Sequence, residues 1–500
     1  MPKQTYQTFP YTVGAMRAER MIEMADKQPL LVIAPSIERA EALAVELRCF
    51  ANKQADICLF PDWETLAYDG FSPQNSLINQ RLSLLARALN HDCHIMVVAI
   101  NTVLTRILPK SYFLTTEFHL RTGQTICYDD LIDSLHAHGY NPVSQVQEPG
   151  EFATRGSLID LYPTTAKRPY RIDLWDNEIE SIKCFDPESQ RSMQTVDQID
   201  VLGASEYPMT PTFQQHFCKQ WQQQFPQHPH HDIPTRLQKG QKAGGAEYFL
   251  PLFFDHTDTL LDYMPAHCQI LMPKNIHSAI DGFHRQVRQR YKSLQNQATP
   301  CLPPEQVFLT QSAFDSALNP QQTWCWNDKI SKAETNILPT EQLITATQNP
   351  NNIDSVLSFH QQYPSYRLLL VANNQVHYQL YATLLEQNDC SYHSIQSWQD
   401  FIQSNHSLGL TQQAIQHGFV DHKRGIALLT TADLNPETVQ AASTHKQERR
   451  LPSKPSVDVR SIKPGDYVIH TAHGIGCYLG LTTMEQSTDQ NEYVQIAYAD

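Results

Sequence analysis

Nowhere in its 500 residues does this chain carry a GxxxxGK[ST] run, the glycine-rich turn whose backbone amides cradle phosphates while its lysine reaches the outer phosphate and its hydroxyl holds magnesium. That absence excludes an ordinary nucleotide-driven motor within the sequence. Basic charge is also scarce: 38 Lys and Arg stand against 52 Asp and Glu, a formal charge of −14. Such a balance speaks against broad wrapping of DNA and favours proteins as partners. The 11 cysteines include no CxxC pair, which excludes a zinc knuckle and fits reduced thiols in a cytosol. No run approaches the roughly eighteen apolar residues of a membrane span, and MPKQTYQTFPYTVG lacks the apolar centre of a signal peptide. The reading is a cytoplasmic chain with no membrane partner. Its length is too great for one core, so about three to five domains are expected.

What is present is most telling between Pro149 and Ser192, PGEFATRGSLIDLYPTTAKRPYRIDLWDNEIESIKCFDPESQRS. Apolar and charged residues alternate at period two, as at Leu158 and Asp160 or at Tyr170, Arg171, Ile172 and Asp173, between Gly and Pro turns. One face of such a sheet packs while the other displays Arg155, Arg171 and Arg191. Guanidinium groups held on a rigid strand suit bidentate docking onto carboxylates. An ordinary solvated sheet face fits the same spacing.

The runs ATRGSLIDLYP and PYRIDLWDNEIESIKCFDPESQRS closely resemble the sheet domain shared by UvrB and the transcription-repair coupling factors (Mfd), which binds the damage sensor UvrA. The resemblance implies a UvrA-facing patch in which Arg155 and Arg171 pair with acids and Trp175 fills a pocket. The family more often has Phe at the Trp175 position. Arg191, in the SQR turn, is a weaker member, equally explained by a salt bridge to Asp186. Near the C-terminus, PGDYVIHTAHGIGCYLGLTTMEQ and EYVQIAYAD read as short strands with Gly474, Gly476 and Gly480 at turns. This segment resembles the CarD-like module of coupling factors, absent from UvrB, which docks on the RNA polymerase β subunit by strand addition. Leu481, Thr483 and Met484 are the candidate contacts, with Ile475 nearby but better explained as barrel core.

The resemblance therefore implies the N-terminal part of a coupling factor: a multidomain α/β chain that binds stalled polymerase and recruits UvrA for nucleotide excision repair. Residues 1–115 and 201–340 would form a degenerate UvrB-like motor-type α/β domain in two lobes, with an antiparallel-sheet domain, 116–200, inserted between them. A small α/β spacing domain at 341–440, a linker at 441–458 and the start of a CarD-like β-barrel at 459–500 would follow. No cofactor is expected in this chain. The family's ATP, magnesium and main contacts with double-stranded DNA belong to a C-terminal translocase motor, which this reading places beyond residue 500. The competing readings are a UvrB-like ATPase subunit, which would need the missing phosphate loop, and a CarD-like regulator, which would not need the sheet domain.

Elsewhere the apolar spacing predicts a helix near 12–28, the strand Leu30–Ala34, a helix from Ile37 to Phe50, a strand ending at Phe60, a helix around Leu77–Leu89 and the strand His94–Ala99. Pro35 and Ser36 follow the first strand with no glycine, so that turn offers no phosphate nest. The loop PDWETLAYDGFSP, residues 61–73, carries Trp63, Tyr68 and Phe71, which either stack on nucleobases or plug the domain. Arg106 is a candidate surface cation. His228, His230, His231 and Asp232 have the composition of a metal site, but Pro226, Pro229 and Pro234 point to an irregular loop.

Overall fold

The computed structural model describes residues 6–10, 12, 14–51, 56–327, 337–338, 340, 353–434, 467–470, 474–486 and 489–498. They fall into two units, Met1–Leu434 and Asn435–Asp500, each described by itself.

The first sheet of the larger unit grows from runs such as LLVIA and IMVVA, which are apolar throughout because helices cover both faces of a parallel sheet. Its strands run, in spatial order, Gln7–Thr8, Thr323–Trp326, Gln269–Pro273, Leu30–Ala34, Ile95–Ala99 and Ile57–Phe60, and every pairing is parallel. Strands from both sides of residues 118–201 thus share one sheet, with that segment inserted between them. Helix Ile37–Phe50 buries Ala40, Leu43, Ala44, Leu47 and Phe50. At its start the Ser36 hydroxyl accepts from the Arg39 amide at 3.4 Å, so the turn that would be a phosphate loop is a serine-capped corner. Its residues do not fit a nucleotide phosphate: there is no glycine to open the backbone, and no lysine follows.

The inserted segment forms its own sheet, in the order Ser192–Val196, Glu178–Phe185, Tyr170–Trp175, Leu158–Leu161, Glu151–Arg155 and Asn141–Pro142. A two-stranded ribbon of Phe118–Arg121 and Gln198–Val201 ties entry to exit. Helix Tyr128–Ala137 presses Leu131 and Leu135 onto Ile159, Leu161, Ile172, Leu174, Ile179 and Ile182. Where the segment meets its host, the Asn79 side chain donates to the Pro149 carbonyl. Gly150, at φ +85°, passes so close that a Cβ would lie 2.5 Å from Asn79 Nδ2. Only glycine fits that approach.

Residues 353–434 add a third, mixed sheet centred on Arg367–Ala372, Leu408–Gln412 and Ile426–Thr430. The expected spacing domain in fact shares a core with the first sheet's helices: Trp398, Phe401, Phe419 and Leu428 pack in one cluster with Met21, Leu47 and Phe50. The Glu19 carboxylate receives both terminal nitrogens of Arg424, at 2.8 and 2.7 Å, and the Trp398 indole at 3.1 Å.

The smaller unit contributes an antiparallel sheet of Tyr467–His470, Gly474–Gln486 and Asp489–Ala497. The expected barrel start is, in the described residues, this three-stranded sheet. Gly474, Gly476 and Gly480 lie within the central strand rather than at turns, and the register shifts between Tyr478 and Gly480, as glycine in a strand permits. The expected linker, 441–458, lies outside the described residues.

Candidate interaction surface

Strand register decides which charged groups of the inserted sheet share a face. Ala153, Asp160, Arg171 and Lys183 are cross-strand neighbours, as are Arg155, Leu158, Asp173 and Ser181. Arg171, Asp173 and Trp175 alternate along one strand, so Arg155, Arg171 and Trp175 stand opposite the isoleucine-rich face that the helix covers. Trp175, at the mouth of the Asp176–Asn177 turn, is 76 % exposed. The ring is thus not folded down as a lid over the sheet. Arg155 is exposed, and its Nη2 donates to the Ser144 carbonyl at 3.2 Å.

Arg171 differs from the sequence reading. Its Nε and Nη2 donate to the two oxygens of Asp160 at 2.7 and 2.8 Å, and its guanidinium lies 4.9 Å over the Phe185 ring. Asp160 is buried and the arginine half-buried. The fork expected to meet a partner's acid is therefore occupied within the domain, and those hydrogen bonds raise its pKa further. The remaining nitrogen reaches the Gln190 carbonyl at 3.4 Å. Arg191, next in sequence, is exposed. Its backbone carbonyl, not its guanidinium, meets Asp186, whose carboxylate is held by Ser189 instead. Those Ser189 hydrogen bonds lower the Asp186 pKa.

The 61–73 loop resolves as a plug at two of its three rings. Trp63 is buried, donates to Glu206 Oε2 at 2.7 Å and meets Tyr248 edge-on at 5.4 Å. The other Glu206 oxygen receives Arg81 Nε at 2.6 Å, with both partners at most 2 % exposed. Tyr68 is buried and donates to the Leu302 carbonyl at 2.9 Å. Neither ring is free to stack on a base; only Phe71, 60 % exposed, remains on the surface. Arg106 is not a free surface cation either: it is half-buried, its Nε meets no acceptor among the described residues, and burial lowers its pKa. His231 caps helix Asp232–Gln238 by accepting from the Ile233 amide, and its ring packs tilted against Trp221. Sequence reasoning missed the Arg81–Glu206 pair, whose members are 125 positions apart.

In the smaller unit, Leu481, Thr483 and Met484 pair through their backbones with Val494, Glu492 and Asn491. Their side chains, and that of Ile475, lie outside the described residues. On the opposite edge, Tyr467–His470 pairs no further than Cys477, so among the described residues the strand from Tyr478 onward has one edge without a partner strand. No helix among the described residues is long and apolar enough to cross a membrane.

Three family models match: "UvrB interaction domain" at residues 118–207, "MFD, D3 domain" at 359–434 and "CarD-like/TRCF RID domain" at 462–500. The transcription-repair-coupling factor of Escherichia coli K12 is 29 % identical over 524 residues, taking in 100 % of this chain and 45 % of the relative. Its Haemophilus influenzae counterpart is 29 % identical over 480 residues, with 94 % and 41 % covered. That of Bacillus subtilis is 23 % identical over 511 residues, again with 94 % and 41 % covered. The chain spans less than half the length of these relatives. The match runs through the inserted sheet, the third sheet and the C-terminal strands, and along its length this chain is similar to the N-terminal part of transcription-repair-coupling factors.

Proposed function

We propose that this protein couples transcription to DNA repair in the cytoplasm, holding RNA polymerase through the strands at 467–497 and presenting the inserted sheet to UvrA. The observation that carries the reading is Trp175, a large aromatic left 76 % exposed at the tip of a rigid hairpin, on the same face as Arg155 and Arg171. Exposed aromatic anchors with arginine neighbours are what binding hot spots are made of. Arg155 and Trp175 are the direct contacts, and Arg191 extends the patch beside Arg171. Arg171, already paired with Asp160, keeps the face rigid and offers the partner the outer edge of its guanidinium.

On the polymerase side, the unpartnered strand edge supports strand addition to the β subunit, with backbone hydrogen bonds supplying affinity and Leu481, Thr483 and Met484 supplying selectivity. ATP-driven translocation on duplex DNA, with its magnesium, belongs to the family's motor. The Ser36-capped corner lends no support to a UvrB-like ATPase within residues 1–500. The test is binding of UvrA and the polymerase β subunit to the full chain on one sensor surface. Both are expected to bind and to be held together; failure of UvrA to bind the properly folded chain overturns the reading.

A further inference from the structure

Helix Ile276–Asn296 is anchored from one side only. Ile276, Ile280 and Val287 are its buried residues. Arg290, turned the same way, donates to the Ala67 carbonyl at 2.7 Å and to Asp69 at 2.5 Å. These contacts fix the rotation of the helix and leave Arg285, Arg288 and Lys292 exposed. At 100° per residue the three lie within one narrow stripe, and at 1.5 Å rise the stripe is about 10 Å long. None of the three forms an ion pair among the described residues. Two carboxylates share the neighbourhood, Asp281 and Glu305; the His284 pKa is lowered, by burial first and by Arg288 next, and both acids oppose that shift.

We propose that this stripe is a contact strip for the phosphate backbone of duplex DNA. With both strands counted a duplex carries a phosphate about every 1.7 Å of axis, so a strip about 10 Å long has phosphates within reach of each of its three cations. An acidic protein segment is the lesser fit: protein interfaces are organised around a buried apolar anchor, and no large exposed apolar side chain lies on this helix. A local strip also suits a chain whose overall charge of −14 opposes broad wrapping. The contact reads no sequence, because only the backbone is addressed.

The experiment is fluorescence anisotropy of a labelled duplex with the full chain across a salt titration. Replacing Arg285, Arg288 and Lys292 together by Glu is expected to weaken binding at least ~10-fold at low salt, and the Gln triple variant to lower the log–log salt slope by about three. Lys at positions 285 and 288 should preserve binding, because a backbone contact needs charge rather than a fork. Thermal unfolding should be unchanged in all variants, since the three side chains are exposed; if the Glu variant misfolds, the Gln variant decides. Duplex binding that is absent at low salt, or equal in wild type and the Gln triple variant, overturns the proposal. So does binding of polyglutamate without binding of duplex, which would assign the strip to an acidic protein.

Discussion

Two places in this molecule put a tryptophan, an arginine and a carboxylate to opposite ends. In the host domain Trp63, Arg81 and Glu206 form a cluster in which the ion pair is at most 2 % exposed and the indole donates inward. In the inserted sheet, Trp175, Arg171 and Asp160 lie on one face; the arginine is 21 % exposed and the indole stands in solvent. The difference is a covering layer. Tyr248, from the 3₁₀ segment Ala246–Leu252, closes over Trp63, while the inserted sheet spends its one helix on the opposite face. An aromatic with an arginine neighbour is thus a plug where a second lobe packs over it and an exposed surface where none does.

Breaking the plug should have the largest effect. Arg81→Ala leaves the Glu206 carboxylate buried without its partner, and removing one member of a buried pair typically costs about 3 to 5 kcal/mol. Urea unfolding is expected to show that loss, and a loss under about 1 kcal/mol would mean that solvent reaches the cluster.

A smaller, pH-dependent effect belongs to Glu247, in the same covered region. It is buried, bonded by Ser72 at 2.8 Å, and desolvation pushes its pKa from 4.5 up to about 7. The carboxyl is neutral in both states at low pH, and the unfolded chain ionises first as pH rises. Stability associated with this group is therefore full below about pH 4.5 and is lost up to and through about pH 7. Glu247→Gln should raise stability by about 1 to 3 kcal/mol near pH 8 and leave it unchanged near pH 4.5. A gain that is equal at both pH values would contradict the assignment.

How far the sequence was legible follows from the range of the interactions involved. Helix Ile37–Phe50 has the bounds that its apolar spacing predicts, because periodicity is local information. The Asp160–Arg171 pair was within reach too, since adjacent strands of the predicted hairpin place the two directly opposite; the signal was in the register rather than in the residue types. Arg81–Glu206 and Glu19–Arg424 were not legible, with partners 125 and 405 positions apart and no local pattern linking them. The same limit explains the aromatic loop. Composition alone gives Trp63, Tyr68 and Phe71 one character, and only the distant segment carrying Tyr248 separates the buried pair from the exposed ring.

The uncovered site is tested most directly by calorimetric titration of UvrA into wild type and the Trp175→Ala variant, with thermal unfolding of both measured alongside. The account predicts an affinity loss of about 2 kcal/mol or more and a stability change within about 0.5 kcal/mol, because the ring is 76 % exposed. Unchanged affinity, or a large loss of stability, would contradict it.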